Sequence, residues 1–179
     1  MRQLRIFEEG NVTATILLLA VVTLERLGEL WLARRNTKAL LARGATEVAP
    51  EHYPLIVVLH GIWIAGLWLI GWDNSLNPIW VMLFLILQVL RIWVLSTLGP
   101  RWTTRIIVLR NADLVKSGPY RFLNHPNYAV VIGEIAVLPL CVGMPIYALV
   151  FSMANAAVLT IRIRAESEAL SEAQHVSAL

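Results

Sequence analysis

The chain has 179 residues, of which 58% are hydrophobic and only 15% charged, with a formal net charge of +3. That balance excludes an ordinary soluble globular domain and leaves room for a single polytopic membrane domain of about five spans, since a spanning helix takes about 20 apolar residues. A lone cysteine, Cys141, excludes an internal disulfide or a cysteine-based metal cluster; no metal and no nucleic-acid partner is expected.

In chain order, Glu8 and Glu9 precede the first apolar stretch and no small-residue cleavage site follows, so the first segment is expected to be retained. Apolar spans are predicted at 12–33, 55–72, 78–98, 127–142 and 145–161, divided by Pro, Gly and charged residues. The link 34–54 carries Arg34, Arg35, Lys38 and Arg43, and the link 99–126 carries Arg101, Arg105, Arg110, Lys116 and Arg121; Arg162 and Arg164 follow the last span. The links "GWDNSLNP" and "CVGMP" have no basic residue. By the positive-inside rule the N-terminus is outside, while the basic links and the C-terminal tail are cytoplasmic. The expected fold is therefore an all-α membrane helix bundle forming one domain over 1–179, with three helices in 1–98 and a loop, helical hairpin and tail in 99–179.

Ionisable residues interrupt the spans: Glu25, Arg26 and Glu29 in the first, His60 in the second, Arg91 in the third and Glu134 in the fourth. With this topology they share one slab, roughly 8 to 13 Å below the cytoplasmic ends. Two readings stand side by side. Arg26 pairs with Glu29 at i,i+3 and Arg91 with Glu25 or Glu134, as helix-helix glue; or Glu29, His60 and Arg91 line a cavity that admits the polar head of a lipid-like substrate. Trp31, Trp72, Trp80 and Trp102 fall where an interfacial ring settles.

Next comes "ADLVKSGPYRFLNHPNY". Pro126 pushes His125 out of helical geometry and suits the first turn of the following helix, so His125 and Tyr128 bracket a helix N-terminus whose free N–H groups attract an anion. After the hairpin, Arg162 and Glu166 are four apart and share a helix face. The two polar motifs are expected to meet, offering a cation, an anion, a helix N-terminus and aromatic rings to a small zwitterion. The amino-acid end and sulfonium of S-adenosylmethionine have that pattern, as do other zwitterions.

"LVKSGPYRFLNHPNYAVVIGEI", a hairpin and "RIRAESEAL" together resemble the isoprenylcysteine carboxyl methyltransferase family over residues 98–170. "ERLGELWLARRN" and "HYPLIVVLHG" resemble one bacterial branch of it, found beside type III polyketide synthases. The resemblance implies an integral membrane O-methyltransferase whose cofactor is S-adenosylmethionine. It further implies that the cofactor is held by Ala112, Asp113, Leu114, Val115, Tyr120, His125, Pro126, Asn127, Tyr128 and Glu166, with Arg162 near the substrate. Two positions depart from the family pattern: Asn124 stands where arginine usually precedes His-Pro, and Ser167 replaces the second glutamate of the closing pair.

Methyl transfer from a sulfonium is an in-line displacement, so alignment and exclusion of water are the main demands. A phenolic acceptor also wants a base, for which His125 or Glu134 are candidates, or a cation such as Arg162 to lower its pKa. Two lipid-soluble acceptors compete: the phenolic hydroxyl of an alkylresorcinol or alkylpyrone, which the branch implies, and a prenylcysteine carboxylate, which the wider family implies. Other classes are an NADPH-dependent membrane reductase of the sterol-reductase type and a non-enzymatic scaffold or transporter. The expected setting is the bacterial cytoplasmic membrane, with the active site facing the cytoplasm.

Overall fold

A computed structural model describes the backbone of residues 2–109 and 115–177 and the side chains of 12–109 and 115–168. Five α-helices dominate it: α1 (Arg2–Ala42), α2 (Tyr53–Ile70), α3 (Pro78–Leu98), α4 (Pro126–Cys141) and α5 (Pro145–Ser177). Among the described residues, α2, α3 and α5 contain stretches long and apolar enough to cross a membrane, and α4 is a shorter apolar helix of 16 residues. α1 carries three charged side chains, Glu25, Arg26 and Glu29, within its otherwise apolar stretch.

Punctuation in the sequence sets the helix ends. Asn77 caps α3, its side chain accepting from the Ile79 N–H at 3.1 Å, Pro78 fills the first helical position, and Gly99 (φ +50°) ends the helix. α4 starts at Pro126 and ends in a turn where Gly143 (φ +69°) lets the Met144 N–H return to the Pro139 carbonyl at 2.9 Å. α1 and α5 outrun their predicted spans, because "ARRNTKALLA" and "RIRAESEAL" are polar yet made of good helix formers.

α4 packs between α3 and α5 and is the most buried element. Close approach to α3 depends on Gly133, where a Cβ would lie 2.8 Å from the Leu87 side chain. The core gathers Leu19 and Val22 from α1, Trp63 and Leu67 from α2, Phe84 from α3, and Val131, Ile135, Leu138 and Cys141 from α4. Outward, Val58, Ile62 and Leu69 of α2, Met82, Leu85, Val89 and Ile92 of α3, and Ile146, Leu149 and Met153 of α5 are exposed. So continuous an apolar surface is the one a bilayer covers.

The bundle has two unlike ends. At one, the Asn77 N–H donates to the Cys141 carbonyl (2.8 Å) and Asn74 Nδ2 to the Val142 carbonyl (2.9 Å), tying the α2–α3 link to the α4–α5 turn. At the other, residues 99–109 fold against the end of α1. There β1 (Thr46–Glu47) and β2 (Ile107–Val108) form a short antiparallel pair, in register Thr46 to Val108 and Glu47 to Ile107.

Candidate functional site

His125 sits directly before α4 with φ −129° and ψ 63°, the non-helical geometry imposed by the following proline. Its carbonyl receives the Tyr128 and Ala129 N–H groups at 3.1 and 3.3 Å, and its ring stacks on that of Tyr128, with centroids 5.3 Å apart and planes 19° apart. Upstream, Gly118 (φ +55°) and Pro119 form a 3-10 turn over Gly118–Arg121 that carries Tyr120.

α5 supplies the other half. Arg162 Nε donates to the Tyr128 hydroxyl at 2.9 Å, and that hydroxyl donates to Glu166 Oε2. Glu166 Oε2 also lies 3.7 Å from His125 Nδ1. Arg162 is buried, and its Nη2 is fixed by the Thr104 carbonyl at 2.6 Å. The Tyr120 phenol is pushed up to about 12 by burial and by the Glu166 charge, so it stays protonated and can only donate or accept as a neutral group. Asn127, in the first turn of α4, has a buried Oδ1 with no hydrogen-bond partner. The result is a cluster of one cation, one anion, two phenols and an imidazole at a helix N-terminus. His125 and Glu166 remain 28% and 27% exposed, so the cluster is open to a ligand.

The "NHPNY" and "RIRAE" motifs thus meet as the hairpin requires, and Tyr120, His125, Pro126, Asn127, Tyr128, Arg162 and Glu166 fall in one region. Ala112, Asp113 and Leu114 lie outside the described residues. Val115 lines an open groove of about 520 Å³ together with Arg43, Thr97, Arg101 and Ser117; none of Tyr128, Arg162 and Glu166 borders it.

Glu29, Arg91 and Glu134 form a second polar cluster with Arg26. Arg91 Nε donates to Glu134 Oε1 at 2.6 Å and its Nη2 to Glu134 Oε2, while its Nη1 reaches both Glu29 oxygens at 3.2 Å. Arg26 closes the ring, 3.0 Å from Glu29 and 3.2 Å from Glu134. Four alternating charges thereby neutralise one another inside the bundle. Glu134, a candidate base, accepts here from two guanidinium groups. His60 bonds through Nδ1 to the Ile56 carbonyl one turn back, at 2.8 Å, and meets Trp63 edge-on.

Sequence reading did not single out Thr104, which acts through its carbonyl, a group no residue type announces. It also passed over Asn36, which lies buried within a basic run and donates to the Trp102 carbonyl at 2.8 Å.

Comparison with known proteins matches residues 80–172 to the isoprenylcysteine carboxyl methyltransferase (ICMT) family. A Bacillus subtilis (strain 168) protein named "Uncharacterized protein YpbQ" is 37% identical over 161 residues, covering 87% of this chain and 96% of the relative. An "Uncharacterized protein" of Haemophilus influenzae (strain ATCC 51907 / DSM 11121 / KW20 / Rd) is 26% identical over 160 residues, covering 82% of this chain and 88% of the relative. No solved structure matches the chain.

Proposed function

Because the chain belongs to the isoprenylcysteine carboxyl methyltransferase family, we propose that it is an S-adenosylmethionine-dependent O-methyltransferase acting on a lipid-soluble acceptor that reaches the site from the bilayer. The observation that carries this reading is the convergence of His125, Tyr128, Arg162 and Glu166 from two segments some forty residues apart. The residues present suit the cofactor: the Glu166 carboxylate meets the needs of an ammonium or hydroxyl donor, and the positive end of the α4 dipole those of a carboxylate. S-adenosylmethionine, when bound, supplies an electrophilic methyl group on a sulfonium.

The chain's own residues then have three tasks. Arg162, fixed at Nε and Nη2, keeps its Nη1 donors for the acceptor oxygen and stabilises that oxygen as an anion. His125 takes a phenolic proton at Nε2, and Glu166 beside Nδ1 steadies the imidazolium that forms. Buried Pro126 and Tyr128 keep water from the line of attack. Of the two acceptor classes we favour the phenol of an alkylresorcinol or alkylpyrone over a prenylcysteine carboxylate. Asn124 is exposed and offers no cation for a carboxylate where the family usually has arginine. We further place the basic end of the bundle in the cytoplasm of a bacterial cell.

The test is transfer of radiolabel from S-adenosylmethionine, by the purified protein in nanodiscs, to a dodecylresorcinol or to farnesylcysteine. Label on the resorcinol alone is the expected result. Label on farnesylcysteine alone removes the phenol, and binding of NADPH with no binding of S-adenosylhomocysteine removes the methyltransferase.

A further inference from the structure

The two front-half motifs "ERLGELWLARRN" and "HYPLIVVLHG" lie outside the matched residues 80–172, and neither supplies a residue to the cluster at Arg162. Each nevertheless bonds the same short segment, residues 99–104, Asn36 to its backbone and Tyr53 to the Thr104 side chain. The Asn36 amide donates to the Gly99 carbonyl at 3.2 Å and to the Trp102 carbonyl at 2.8 Å, so it closes the 3-10 turn Gly99–Arg101 from outside. Two residues further on, the Tyr53 hydroxyl shares a hydrogen bond with Thr104 Oγ1 at 3.2 Å. Arg105 is then held by Glu47 at 2.7 and 3.0 Å and lies 4.4 Å over the Tyr53 ring, while the Val48 N–H donates to the Ile106 carbonyl at 2.9 Å. Between these anchors sits the Thr104 carbonyl, which fixes Arg162 Nη2 at 2.6 Å.

We infer that Asn36 and Tyr53 are positioning residues for Arg162, setting the plane of its guanidinium through the Trp102–Thr104 backbone. Asn36 is suited to this because a primary amide has two N–H donors, which here meet the carbonyls at both ends of one turn. Burial makes the link matter: Asn36 is 7% and Trp102 2% exposed, so a carbonyl that loses its donor has little water to replace it. Displacing a fixed guanidinium by a fraction of an ångström is enough to spoil an aligned transfer. Asn36 and Tyr53 thereby act on a site that neither side chain enters.

The kinetic part of this inference rests on the methyltransferase reading; its structural part does not. Two readouts separate them, on full-length protein in nanodiscs. The first is the ¹⁵Nε–Hε signal of Arg162 by NMR, assigned with Arg162→Lys, in wild type, Asn36→Ala and Tyr53→Phe. The second is kcat and KM for methyl transfer to dodecylresorcinol. Wild type should show a sharp, exchange-protected Arg162 signal. Both variants should shift and broaden it, with kcat lowered about 10-fold for Asn36→Ala and less for Tyr53→Phe, and S-adenosylhomocysteine affinity changed by less than about 2-fold. Asn36→Gln, which keeps the donors, should recover part of the loss. An Arg162 signal unchanged in Tyr53→Phe, a variant missing only one hydroxyl, overturns the inference even if Asn36→Ala fails to fold. A wild type with no methyl transfer to either acceptor but a responsive Arg162 overturns the enzymatic reading and keeps the positioning.

Discussion

Two charged clusters occupy this apolar bundle, and they are built on opposite plans. Arg26, Glu29, Arg91 and Glu134 form a closed ring in which each charge faces two of opposite sign, with Arg91 and Glu134 only 5% and 4% exposed. Arg162, Tyr128, Glu166 and His125 form an open chain whose carboxylate and terminal imidazole stay more than a quarter exposed. A closed ring spends its charges on itself and holds helices together. An open chain keeps hydrogen-bonding capacity for something else. The mid-span charges make the ion pairs of the helix-helix alternative, Arg26 with Glu29 and Arg91 with Glu134, and we propose that ligand chemistry belongs to the cluster at the helix end.

The sharpest way to break this division is to remove one charge from each cluster. Glu134→Leu leaves buried Arg91 and partly buried Arg26 to share Glu29 alone and should cost about 3–5 kcal/mol, read as a large fall in thermal midpoint. The remaining folded protein should still bind S-adenosylhomocysteine. Adding Arg91→Met to it should restore much of the loss, because a buried pair replaced whole by apolar side chains leaves nothing stranded. If Glu134→Leu instead abolishes binding without destabilising, the ring belongs to the site. Next in size, Glu166→Gln should weaken S-adenosylhomocysteine binding by roughly 10- to 100-fold in calorimetry, the worth of a hydrogen bond to a charged group, with little change in melting.

Smaller effects sharpen the picture around the open chain. Gly118 has φ +55°, and a Cβ there would stand 2.5 Å from Thr97 Oγ1. Gly118→Ala should therefore cost about 1–2 kcal/mol and shift the turn that carries Tyr120, lowering cofactor affinity more than Ala substitution at exposed Arg121 does. Least of all, Tyr120→Phe should delete the tyrosinate absorbance step near pH 12. Because burial and Glu166 raise this phenol above its usual value of about 10, the stability it carries is full below that pH and is lost as pH rises toward its folded value. Alkaline melting of Tyr120→Phe should lack that part of the decline.

Sequence alone was informative where one residue type has one physical job. Pro78 and Gly99 bounded α3, and Pro126 with Gly143 bounded α4, because breakers act locally. The overrun of α1 and α5 was not legible, since hydropathy marks where lipid can lie and not where a helix stops. The meeting of Tyr128 with Arg162 and Glu166 followed from motif order and one tight hairpin. By contrast, Glu29 as a partner of Arg91 depends on helix rotation, and Thr104 acts through its backbone, so periodicity and motif carry no trace of either.

One dimension of α4 bears on how the proposed lipid acceptor and cofactor would meet. α3 and α4 are pinned at a common level by the bond from Asn77 to the Cys141 carbonyl. From there α4 runs 16 residues against 21 for α3, which is about 7 Å less at 1.5 Å per residue. His125 therefore lies short of the level that α3 reaches, preceded in the chain by exposed Phe122 and Leu123. On the reading we propose, a lipid acceptor upright in its leaflet would meet His125 below the end of α3 and need not be lifted out to be methylated. On that reading turnover should depend on membrane thickness, a thicker leaflet covering His125 and a thinner one baring it.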